Sequence, residues 1–204
     1  MAFADLRSSA ARKNPLGAVH AFLEAYPEPQ KCVEFNVKII QPGADRTSFR
    51  ALQAQVSERP DVRLIDAELS DEETFKLLRE SDIFLSLHRS EGFGLAILEA
   101  MVAGCAVLAT GWSGNLDFMG EMNDALIPYT LKDVDDPSGT YPTGALWAEP
   151  DIKEAVIRLR RLASTPQLRT FQSSIAQASL SRLRRCWDAK LLSQQPFSAW
   201  AARI

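Results

Sequence analysis

Apolar and polar positions along the chain change period several times, and each change marks an element. "RKNPLGAVHAFLEAYPEP" carries apolar residues at helical spacing, with Asn14 placed as N-cap, Pro15 at the first helical position and Pro27 and Pro29 as stops. "VEFNVKIIQPG" alternates, runs into β-branched residues and halts at Pro-Gly, which predicts a strand. "RTSFRALQAQVSERP" returns to helical spacing, "DVRLIDAEL" supplies a short strand, and "SDEETFKLLRES" predicts a helix opened by a Ser70–Glu73 capping box. "DIFLSLH" is the next strand, Leu95 to Ala103 a helix closed by Gly104, and "AVLAT" a strand again. "YTLKDVDDPSGTYPTGALWAEP" then breaks the alternation with turn formers and reads as an irregular insertion near 129–150. "PDIKEAVIRLRRLAS" and "PQLRTFQSSIAQASLSRLRRCWDAKLL" are helical, and the residues from there to Ile204 receive no assignment.

Strands that alternate with helices at this pitch predict an α/β fold, a Rossmann-like parallel sheet with helices on both faces and right-handed crossovers. Residues 1–163 are expected to form one domain and 164–204 a C-terminal helical extension. With 204 residues, 46% of them hydrophobic and 24% charged, the chain can bury a full core. A net charge of −3 gives no reason to expect a nucleic-acid partner. Cys32, Cys105 and Cys186 are odd in number and far apart, which suggests neither a disulfide framework nor a zinc site. The first residues lack a signal-peptide core and no apolar run approaches membrane-spanning length, so a cytoplasmic location is expected, with room for peripheral membrane contact. The basic runs "RLRRLAS" and "RLRRC" are expected on solvated helix faces.

Parallel sheets bind ligands beyond the carboxyl ends of their strands, and "SEGFGLAILEAMVAG" lies there, after "DIFLSLH". Its glycines let backbone approach a ligand, and the amides of Gly94 to Ala96 open a helix, an arrangement that favours phosphate. Glu91 falls in the loop and Glu99 two turns into the helix; by spacing alone they are an acid/base pair, ligand contacts or surface charges. His88 ends the strand at the binding edge, where a ligand contact and a structural hydrogen bond are both open. Leu95, Ile97, Leu98 and Met101 have core spacing. Gly114 and Asn115 in "GWSGNLDFM" offer a turn that either faces the site or serves packing.

The E-x7-E pattern, with "EGFGL" at its start and "EAMVAG" at its end, resembles the signature of family 4 glycosyltransferases. The likeness extends to "FADLRSSAARKNPLGAVHAF", "SDIFLSLHRS", "AVLATGWSGNLDFM" and "YPTGALWAEP", covering roughly Phe3 to Leu162. It implies the donor-binding C-terminal half of a GT-B architecture and retaining transfer from a nucleotide-diphosphate sugar, without a metal or other cofactor. Glu91 would then hydrogen-bond the donor sugar and Glu99 the ribose hydroxyls, while the backbone of Gly92, Phe93, Gly94 and Leu95 lines sugar and diphosphate. Arg7 and Lys13, six residues apart, match the basic pair that grips the diphosphate.

The resemblance also implies an N-terminal acceptor-binding domain, which this chain does not contain. A partner chain or missing half is therefore expected, and a non-catalytic nucleotide-sugar-binding or regulatory module is the alternative reading. The pair Asp133 and Asp135 looks like the metal motif of the other glycosyltransferase fold, but sits in a Pro/Gly-rich stretch and not at the end of an apolar strand. A dinucleotide fingerprint fails because Ile97 occupies the third glycine's place.

Overall fold

The computed structural model describes residues 1–191, apart from 121, 135–140 and 143. The elements run β1 (Ala2–Asp5), α1 (Ala10–Lys13), α2 (Pro15–Ala25), β2 (Phe35–Ile40), α3 (Arg46–Val56), β3 (Val62–Ile65), α4 (Asp71–Arg79) and β4 (Ile83–Ser86). They continue with α5 (Leu95–Ala103), β5 (Ala106–Thr110), α6 (Leu116–Met119), β6 (Leu126–Ile127), β7 (Tyr129–Asp133), β8 (Leu146–Pro150), α7 (Ile152–Ser164) and α8 (Pro166–Leu191).

Strands β1, β2 and β3 form one parallel sheet, and β4, β5 and β6 another. Two hydrogen bonds lay these sheets edge to edge: the Met1 backbone nitrogen donates to Ile83 O (2.7 Å), and Leu85 N–H donates to Met1 O (2.8 Å). Across both, the strands follow the order 3-2-1-4-5-6. That order reverses direction between β1 and β4, which makes the gap between their carboxyl ends the natural crevice for a ligand. The fold is α/β with parallel strands and helices on both faces, as the alternating pattern predicts.

The period-2 strand code distributes side chains to two cores. Leu85 and Leu108 face a cluster built with α2 and α7, while Phe84, Val107 and Ala109 face one built with α4, α5, α6 and α8. Helix α8 contributes Ala176 and Leu180 to the second cluster, so part of the predicted extension belongs to the domain core. Its continuation at 192–204 lies outside the described residues. The capping box forms as predicted, with Ser70 and Glu73 satisfying each other's amides at the start of α4.

Three features differ from the sequence reading. β1 is a strand that the pattern does not announce. The stretch near 129–150 contains a two-stranded antiparallel ribbon, β7 paired with β8, with Asp133 opposite Leu146; Asp135 lies outside the described residues. The "RLRRLAS" run is only partly solvated: Arg160 donates to Ala25 O (2.8 Å) and Glu24 O (2.9 Å), the last carbonyls of α2. Arg158 donates to Leu126 O (2.9 Å) and pairs with Glu154. A cation at a helix C-terminus complements its dipole, which explains the placement of Arg160, while Arg158 is held by a strand carbonyl and a carboxylate one turn away. Among the described residues no helix is long and apolar enough to cross a membrane.

Candidate functional site

A cleft of about 1050 Å³ opens at the carboxyl ends of β1 and β4. Asp5, Lys13, Ser86 and Glu91 line it, together with Gly92 to Glu99 along the loop and first turns of α5. Aromatic and aliphatic walls come from Phe3, Ile40, Leu69, Phe75 and Phe84. An apolar cleft with a few converging polar groups is the usual form of a small-molecule site.

Lys13 reaches the cleft because of the short turn that carries it. Ser9 (φ 64°) and Asn14 (φ 51°) both adopt left-handed backbone, bracketing α1. Asn tolerates that region, and here its side chain has two further uses. Its Oδ1 accepts from Gly17 N–H (3.1 Å) to cap α2, and its Nδ2 donates to Leu87 O (2.8 Å), latching the turn onto the end of β4. A Cβ on residue 17 would lie 2.4 Å from Asn14 Nδ2, so only glycine leaves room for the latch.

Held there, the Lys13 ammonium forms an ion pair with Glu91 Oε1, and Arg12 Nη1 lies 3.3 Å from Oε2. Arg12 also donates to Ser90 O (2.6 Å) and Ser8 O (3.2 Å). Burial works to raise the Glu91 carboxyl, but Lys13, by charge and hydrogen bond, and Arg12 hold it below its ordinary value of 4.5. A carboxyl depressed in the folded state contributes stability above its unfolded pKa, and that contribution is lost as pH falls through the folded value. Denaturant midpoints should therefore be higher for the wild type than for Glu91→Gln near neutral pH, and the gap should close on acidification. A gap independent of pH would contradict the pairing.

The backbone of Glu91 is fixed from the β5–α6 loop. Its N–H donates to Ser113 Oγ (2.8 Å), and its carbonyl accepts from Gly114 N–H (3.1 Å). Ser113 takes left-handed backbone (φ 72°) to do this. Beyond Glu91, Gly94 (φ 92°) turns the chain into α5, whose N-terminus no side chain caps. Glu99 is the one charged residue of α5 and borders the same cleft. Burial, and then the charge of Asp71, push its carboxyl above the ordinary range. A partly buried carboxylate in an otherwise apolar helix costs stability unless a ligand uses it.

The other predicted residues divide. Gly92, Phe93, Gly94 and Leu95 border the cleft. Arg7 does not; its side chain is 63% exposed and grips Asp5 through Nη2 at 2.7 Å. His88 is fully buried, outside the cleft lining, with Nε2 at 3.2 Å from Trp112 O and Nδ1 at 3.0 Å from Ser86 Oγ. A carbonyl only accepts, so Nε2 carries the proton and Nδ1 accepts from the Ser86 hydroxyl. Burial lowers the His88 pKa, which favours that neutral ring. Sequence reasoning did not single out Arg12 or Ser113. Arg12 is adjacent to Lys13 in "RKNP" and was visible as a charge; nothing in the sequence marks Ser113.

Comparison with known proteins gives the fold and the family. The chain is similar in structure to WaaG, a glycosyltransferase involved in lipopolysaccharide biosynthesis (18% identity, TM-score 0.56), over 86% of this chain and 41% of that one. It is similar to trehalose-6-phosphate synthase studied for glycosyl transfer with retention (15%, TM-score 0.61), over 96% of this chain and 45% of that one. It also resembles the catalytic domain of cholesterol-alpha-glucosyltransferase from Helicobacter pylori (12%, TM-score 0.59), over 89% of this chain and 98% of that one. The chain thus spans about two fifths of the first two, and its fold corresponds to one half of a GT-B architecture. No curated protein sequence matches it. The family model described as "Glycosyl transferases group 1" matches residues 9–136, which include α1, the Glu91 loop and α5. By that match, the chain belongs to the group 1 glycosyltransferases.

Proposed function

We propose that this chain is the donor-binding half of a retaining, metal-independent glycosyltransferase of the family 4 type, which holds a nucleoside-diphosphate sugar in the cleft between β1 and β4. One observation carries the reading: Lys13, Glu91, the uncapped start of α5 and Glu99 all border one cleft at the topological switch point. Each has a part of the ligand to serve. The positive end of α5 and the Lys13 ammonium suit a diphosphate. Glu99 accepts from ribose hydroxyls, and Glu91 from a hydroxyl of the sugar. When the glycosidic bond to phosphate breaks, the same cations stabilise the departing diphosphate, whose oxygen takes the acceptor's proton. Front-face attack of this kind retains configuration without a protein nucleophile.

Titration of the chain with uridine and guanosine diphosphates and their glucose and mannose conjugates tests donor binding. Saturable binding to at least one nucleotide sugar is expected; no binding to any would overturn the reading. Because the chain spans about two fifths of WaaG, a module that binds donor without turnover is the second reading. Sugar transfer is then measured with and without a separately supplied acceptor-binding half, and transfer by the chain alone would exclude that module.

Two substitutions separate the parts. Lys13→Ala is expected to weaken nucleoside-diphosphate binding by about 1.5 to 3 kcal/mol, the range for a charge-assisted bond. Arg7→Ala should change that affinity far less, because its exposed guanidinium is engaged by Asp5. A larger loss at Arg7 than at Lys13, read by calorimetry, would place the diphosphate elsewhere. Glu99→Ala is expected to weaken nucleoside diphosphates more than inorganic pyrophosphate, which has no ribose. Equal effects on both would contradict the ribose assignment.

A further inference from the structure

The β7–β8 ribbon touches both loops that frame Glu91. Trp112, next to Ser113, packs on Tyr129 of β7 with ring centroids 5.2 Å apart. The stronger connection runs through Arg89, two residues before Glu91. Its Nε and Nη2 make a two-pronged contact with Glu149 of β8, at 2.7 and 3.0 Å, and its guanidinium lies 5.6 Å from the centre of the Trp147 ring. The third prong, Nη1, donates to Ala11 O (2.6 Å) in α1. The Arg89 backbone repeats the connection, donating to Arg12 O (2.8 Å) and accepting from Ala148 N–H (2.9 Å).

One residue therefore ties the ribbon to the turn that carries Arg12 and Lys13 and to the loop that carries Glu91. The Arg89 side chain is only 20% exposed and that of Glu149 26%, so the contact is shielded, and its fork geometry is one that lysine cannot reproduce.

We propose that Arg89, clamped by Glu149, is a positioning residue: it uses the ribbon as a brace to hold the Lys13–Arg12 turn in register with the Glu91 carboxylate. The β7–β8 ribbon is thereby part of the donor site's framework, although none of its residues lines the cleft. The significance of that register rests on the reading of Glu91 as a donor-sugar contact, but the geometry can be tested without any ligand.

The test follows the Glu91 side-chain carbon by NMR through a pH titration of the ligand-free chain, in the wild type, Glu149→Gln and Arg89→Lys. The charged groups set around Glu91 are Lys13 and Arg12 from α1, and the titratable His88, neutral in its buried position, faces it from the end of β4. Removing the negative charge of Glu149 would by itself lower the Glu91 midpoint. Loss of register moves the Lys13 and Arg12 cations away and raises it, so the two effects have opposite signs. A rise of about half a unit to one unit is expected in Glu149→Gln, and a rise also in Arg89→Lys, which keeps the charge and loses the fork. Backbone amide spectra establish that each variant is folded; should one fail to fold, the other carries the test. A midpoint that stays or falls in a folded variant overturns the proposal. Absence of nucleotide-sugar binding would instead overturn the donor reading and leave the brace standing.

Discussion

Gly114→Ala is expected to lower stability by about 2 to 4 kcal/mol and to displace the Glu91 loop, although the change adds a single methyl group. An added Cβ would lie 2.1 Å from Gly92 O, 2.5 Å from Gly92 C and 2.8 Å from Phe93 Cα. All three are backbone atoms, so no side chain can rotate away, and one loop must move. Relieving such a clash costs about 1 to 3 kcal/mol. The move also weakens the Gly114 N–H to Glu91 O hydrogen bond (3.1 Å), for about 1 kcal/mol more. In thermal unfolding, that sum corresponds to a Tm lower by roughly 5 to 15 °C. Gly92→Ala is the control: nothing lies within 4 Å of its added Cβ, and its backbone is not left-handed. Its Tm should stay within a degree or two of the wild type, by the usual scale of a small surface change. Equal Tm values for the two variants would show that the close approach of the loops is not a constraint.

That contact shows where sequence reading stops. Helix α5 is legible to the residue, because Gly94 and Gly104 both take positive φ and bound an apolar run. The parallel sheet is legible because β2, β4 and β5 are buried runs of β-branched and large apolar residues. β1 is not: its four residues, "AFAD", bury chiefly two alanines, and it becomes a strand by lying between β2 and β4. The ribbon fails for a related reason. Thr130 to Asp133 are all exposed and so carry no alternating signal, and their pairing is supplied by Trp147 and Ala148 opposite.

The candidate site divides along the same line. Glu91, Glu99 and the glycines sit in one contiguous stretch, where spacing along the chain translates directly into position along a loop and helix. The basic partners come from a different strand end, and linear spacing does not say which way a turn faces. Ser9 and Asn14 in left-handed backbone turn α1 so that Lys13 and Arg12 meet Glu91, while the Asp5 carboxylate keeps Arg7 on the exposed rim. The connection from Glu149 through Arg89 spans 60 residues, and neither residue type nor spacing announces it.

The same charge arrangement makes Glu91→Gln a test with two opposite outcomes. In the ligand-free chain Glu91 occupies the Lys13 ammonium, so an incoming diphosphate must compete with a carboxylate already held there. Neutralising Glu91 removes the competitor, and the affinity for a bare nucleoside diphosphate should rise, by roughly threefold to tenfold if about 1 kcal/mol of pairing is released. The sugar end responds the other way. A carboxylate accepting from a sugar hydroxyl is worth about 1.5 to 3 kcal/mol, more than an amide in its place, so the sugar conjugate should lose its advantage over the bare diphosphate. Transfer, where the charged contact strengthens as the glycosidic bond breaks, should fall by about a hundredfold or more. Calorimetry with matched pairs of nucleoside diphosphate and nucleotide sugar reads the first two effects, and turnover with the acceptor-binding half reads the third. If both ligands weakened together, Glu91 would be holding the Lys13 turn in place and not reading the sugar. If neither changed, the ion pair would be an ordinary partly buried salt bridge beside an unrelated site.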